Sequence, residues 1–88
     1  MVVNVIFKEE ELEYGEGYTM VLSTAHSRKA ATNFVKAQVD KVKKEMCDGG
    51  WAQDMEEWYD VHCCSMAFEK NEVRVYIDIH TVAVEELD

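Results

Sequence analysis

The sequence predicts an α+β domain. Its expected architecture is an antiparallel four-stranded sheet in the order β-β-α-α-β-β, with one long amphipathic helix packed on one face and a short second helix. Three observations lead there. β-branched runs closed by Gly or Asn turns stand at both ends of the chain. One apolar stripe of helical period runs through the middle. The 88 residues contain no proline and no low-complexity tract, so a single domain over residues 1–88 is expected.

The elements follow in order. "VVNVIF", residues 2–7, is apolar and β-branched without a helical period, and reads as a strand that can run on into the glutamates behind it. "YGEG" at 14–17 carries two glycines and reads as a turn. "YTMVL" at 18–22 is the returning strand of a hairpin. Ser23, Thr24 or Ser27 then offers an N-cap. In the helix that follows, Ala31, Phe34, Val35, Gln38, Val39, Val42 and Met46 recur at steps of three and four, which makes one apolar face with Gln38 as its polar member. Gly49 and Gly50 end the helix. Trp51, Met55, Trp58 and Tyr59 step by four, three and one, which predicts the short second helix, with Asp54, Glu56, Glu57 and Asp60 on its other side.

The last stretch, 60–84, reads as two strands around a turn at Lys70–Asn71. Setting Phe68 opposite Val73, Met66 opposite Val75, Cys64 opposite Ile77 and His62 opposite Ile79 gives one apolar face. A slip by one residue would bury Arg74 and Asp78, so this register is favoured.

Charge is the compositional signal. The net charge is −9, and it is unevenly spread. Residues 1–22 hold one cation and five anions, residues 23–44 six cations and one anion, and residues 45–88 two cations and twelve anions. Free nucleic acid is a poor ligand for such a chain, because its binding requires phosphates to be neutralised by Lys and Arg. A basic protein surface is the complementary partner. No apolar run approaches the ~20 residues that a membrane helix needs, and the start "MVVNVIFKEE" has no signal-peptide pattern. A cytoplasmic location without membrane contact is expected. The odd set of cysteines, Cys47, Cys63 and Cys64, reads as reduced thiols.

Several residues carry metal-binding or nucleophilic chemistry: His62, Cys63, Cys64, Asp78 and His80. On the expected register Cys63, Asp78 and His80 share the outer face of the sheet. No C-x-x-C or H-x-x-x-H spacing pins them, so no metal or cofactor is expected. Cys63 with His80 as nucleophile and base is disfavoured too, since a negative field opposes thiolate formation. No catalytic residue is assigned.

The acids that remain are the candidate partner-binding residues: Glu9, Glu10, Glu11, Glu13 and Glu16, then Asp54, Glu56, Glu57 and Asp60. On an extended chain, Glu9, Glu11 and Glu13 repeat at about 6.7 Å on one face. Nucleic acid offers a comparable row of negative charge, one per ~3.4 Å of each strand. In length, clustered acids, single amphipathic helix and small sheet, the chain resembles the small acidic inhibitors of phages and mobile elements, including anti-CRISPR proteins and nucleic-acid mimics. The resemblance is one of type and carries over no residue by motif. It implies a non-enzymatic protein, in the host cytosol if phage-encoded, that blocks a nucleic-acid-binding enzyme or complex by occupying its basic groove. The alternative is a small structural or assembly module, a monomer or a homodimer joined through a sheet edge.

Overall fold

The computed structural model describes residues 2–12, 15–59 and 63–85, and the side chains of residues 2, 54–59 and 63 lie outside the description. The chain runs β1 (Val2–Leu12), β2 (Gly17–Ala25), α1 (Arg28–Asp48), β3 (Ala52–Tyr59), β4 (Cys63–Lys70) and β5 (Val73–Glu85). All five strands form one sheet in the order β2-β1-β5-β4-β3, and every neighbouring pair is antiparallel. The helix lies on one face, so the domain is a two-layer α+β fold.

The expected four-stranded sheet with two helices is therefore corrected, among the described residues, to five strands and one helix. The segment assigned to a short helix is β3. Its Trp and Tyr residues suit a strand as well as a helix. Two register irregularities, between Gln53 and Met55 and between Met55 and Trp58, break the two-residue alternation that would have marked it. The decisive term is non-local. Without β3, the outer edge of β4 would present unpaired backbone groups, and pairing satisfies them.

The long helix forms as its pattern predicts. Of the three candidate caps, Ser27 is the one used: its hydroxyl accepts from the Ala30 amide at 3.1 Å. At the other end Trp51 N–H donates to Met46 O at 2.9 Å and Gly50 N–H to Cys47 O at 3.0 Å. This is a Schellman closure, and Gly50 supplies its left-handed residue at φ +86°. The chain is thereby turned back alongside β4, where Lys70 Nζ donates to Gly49 O at 2.6 Å.

β4 and β5 meet through a tight two-residue turn, Asn71–Glu72, with both φ values positive at 52° and 67°. Phe68 consequently opposes Val75, Met66 opposes Ile77 and Cys64 opposes Ile79. The pairing lies two residues from the expected one. A shift of two keeps every side chain on its face, so the assignment of faces holds although the partners change. Cys64, Met66, Phe68, Val75, Ile77 and Ile79 pack with Ile6 of β1 and with Ala31, Val39 and Val42 of the helix. The core thus lies between the helix and one face of the sheet. Among the described residues no helix lies over the sheet's opposite face.

Candidate functional site

Strand alternation decides which acids act together. In β1, Ile6, Lys8, Glu10 and Leu12 point to the helix side, and Val5, Phe7, Glu9 and Glu11 point to the open face. Glu9 and Glu11 are exposed, whereas Glu10 is half-buried. The five clustered glutamates of the sequence are therefore not one surface.

Glu10 is engaged locally. Tyr18, opposite it on β2, donates its hydroxyl to Glu10 Oε2 at 2.6 Å, and Lys8 Nζ stands 3.8 Å from the same oxygen. The ammonium also lies 5.7 Å from the centre of the Tyr18 ring. The hydrogen bond to Glu10 pushes the Tyr18 phenol up from 10.0 to about 12, with burial and the carboxylate's charge adding to it. Because the folded-state value lies above the unfolded one, this contact's stabilisation is complete below about pH 10 and fades as pH rises towards 12. Phenolate absorbance is expected to show one tyrosine titrating late, and Glu10→Gln should return it towards 10. An unchanged late titration in Glu10→Gln would remove Glu10 as the cause.

The open face is built by β1 and its neighbours. Glu9 lies directly opposite Asp78, Phe7 opposite His80, and Glu11 opposite Tyr76. The Phe7 and His80 rings stack at 4.9 Å with an interplanar angle of 17°. His80 Nε2 stands 3.5 Å from Glu9 Oε2. Towards one end of the same face the character turns apolar. Val21 of β2 and Val82 and Val84 of β5 are 64%, 46% and 46% exposed, beside half-buried Val5 and Phe7. Val3 and Ala67 on this face are buried. Arg74 is its cation in β5, paired across with Glu69.

Of the remaining sequence candidates, Glu16 is exposed in the turn before β2, and its carbonyl accepts from Leu12 N–H at 2.6 Å. Asp54, Glu56 and Glu57 belong to β3, the outer strand beside β4, rather than to a helix, and their side chains lie outside the description. Glu13 and Asp60 lie outside the described residues. The expected sharing of the outer face by Asp78 and His80 holds, with Cys63 now opposite His80 on β4. Glu9 joins them, which no sequence spacing announces, since 69 positions separate it from Asp78. The lysines Lys36, Lys41 and Lys44 are exposed on the helix. Among the described residues no helix is long and apolar enough to cross a membrane.

No protein-family model, curated protein or solved structure matches the chain.

Proposed function

We propose that this chain is a non-enzymatic binding protein that uses the open face of its sheet to occupy a basic, nucleic-acid-binding surface of another protein. The observation that carries the reading is the composition of that face. Exposed Glu9 and Glu11, with Asp78 beside them, border a patch of exposed valines. Such a surface suits a partner that presents Arg and Lys around an apolar centre. The cationic helix lies on the other layer, so its lysines do not sit among these acids. An inhibitor of a nucleic-acid-handling complex, of the kind the resemblance implies, is the form of this activity we favour. The cytosol fits it, and the exposed free thiol of Cys47 suits a reducing compartment.

The test begins with a pull-down from the source cell and continues with rates for the recovered partner. Glu9→Gln/Glu11→Gln is expected to slow association, more so at low salt, because rim charges steer encounter. Val82→Ser/Val84→Ser is expected to quicken dissociation. If both doubles bind at the parent's rates, the open face is not the contact surface.

A second reading is favoured by β2. Its nine residues, "GYTMVLSTA", carry no charge, and it is an edge strand with Tyr18 49%, Met20 46% and Val21 64% exposed. Natural edges are usually blunted by charge, and here the register shift opposite Ile6/Phe7 is the one such device among the described residues of the strand. Antiparallel pairing of β2 with a second copy would bring the Glu16 end of one strand to the His26–Arg28 end of the other. Light scattering separates the two: a dimer broken by Val21→Lys supports this assembly, and a monomer removes it.

A further inference from the structure

Glu9, Asp78 and His80 offer one ligand atom each, and all three atoms lie within 4.8 Å of one another. Strand pairing creates the group. Glu9 opposes Asp78, and His80, two residues further along β5, lies on the diagonal from Glu9. A second observation points to a missing partner at the same place. His80 Nε2 is buried from solvent and has no hydrogen-bond partner among the described residues, and 3.5 Å puts Glu9 Oε2 at the outer limit of reach. The stack on Phe7 holds the ring in this orientation.

We propose that Glu9, Asp78 and His80 form a binding site for a divalent transition-metal ion of the zinc class. An imidazole nitrogen with two carboxylate oxygens is a donor set that suits zinc and its neighbours, whereas magnesium and calcium prefer oxygen alone. Ligand atoms at about 2.0–2.1 Å from a tetrahedral zinc stand roughly 3.3 Å apart, so modest rotations of two carboxylates close the group. Glu9 is exposed enough to move, its side chain being 49% accessible. Its exposure also leaves room for water to complete the coordination, as in sites with an open position. The ion would satisfy the imidazole nitrogen and offset two like charges facing each other across the strand pair. Absent ligand spacing argued against a metal at the level of sequence, but register brings together residues that spacing cannot.

The competing account is a plain Glu9–His80 ion pair, and it predicts no metal affinity. Calorimetric titration of Zn²⁺ into the 88-residue chain at neutral pH is expected to give one saturable site per chain. His80→Gln should abolish it. Glu9→Gln and Asp78→Asn should each weaken it by at least the roughly 10–100-fold that the loss of an outer-shell partner costs. Glu45→Gln, an equal loss of charge on the exposed side of the helix, should bind as the parent does, and Mg²⁺ should give no saturable heat. Circular dichroism confirms that each variant is folded. Should His80→Gln lose structure, Glu9→Gln decides alone, since that side chain is exposed. The proposal is overturned if the parent shows no saturable zinc binding. It is equally overturned if binding survives His80→Gln, or survives Glu9→Gln with Asp78→Asn, because the zinc would then sit elsewhere on the chain. None of these readouts involves a protein partner, so failure here leaves the partner-binding reading standing, and the converse holds.

Discussion

Val39→Asp is expected to unfold the domain. Val39 is 1% exposed in the middle of α1, and it packs into the cluster formed with Ile6, Phe68 and Ile77. A carboxylate there loses its hydration without gaining a partner, and it also removes apolar contact. The cost is several kcal/mol, against a total stability of about 5–15 kcal/mol for a native domain, with small domains near the lower bound. Val84→Asp is the matched control. The same change is made on the open face, at a residue 46% exposed. Its effect should stay within about 0.5 kcal/mol, as for most surface substitutions. Thermal melts followed by circular dichroism separate the two. Equal melting temperatures for Val39→Asp and the parent would mean that the helix buries a different face.

Phe68→Ala is expected to cost about 3–5 kcal/mol, the usual range for truncating a fully buried aromatic. Phe68 is 0% exposed and heads the large buried side chains among the described residues. It lies on β4 opposite Val75, under the helix. Removing the ring leaves a cavity that the surrounding β-branched side chains fill poorly, since their rotamers are restricted. In urea the midpoint should fall while the slope stays constant, because the fold is unchanged and only its stability drops. A loss below about 1 kcal/mol would show that the core collapses freely around position 68. Below its melting temperature the variant should still bind zinc as the parent does, because Glu9, Asp78 and His80 lie on the other face of the sheet.

How legible each part was follows from the range of the interaction that fixes it. The helix was legible in its stripe and its Gly49–Gly50 stop, which are local and are used as the sequence suggests, whereas Ser27 was one of three candidate caps, of which Ser23 and Thr24 fall in β2. The β1–β2 hairpin was legible too, although β1 continues to Leu12 and β2 to Ala25. The faces of β4 and β5 were legible because a one-residue slip would bury charge. Their partners were not, because a two-residue slip conserves the faces, and the left-handed Asn71–Glu72 turn then decides.

The sequence by itself determined the α+β class, the amphipathic helix, the apolar faces of the last two strands and the acidity of the chain. Only the tertiary structure decided that residues 52–59 form a fifth strand, since bulges blur their period and the stabilising partner is β4 rather than any near neighbour. It also decided that Glu9 and Glu11 face away from the helix while Glu10 turns towards Tyr18. The meeting of Glu9 with Asp78 and His80 belongs to the same class. Side-chain alternation is written into a strand, but which strand lies beside it is settled by burial and backbone pairing across the whole chain, and no local pattern encodes that choice.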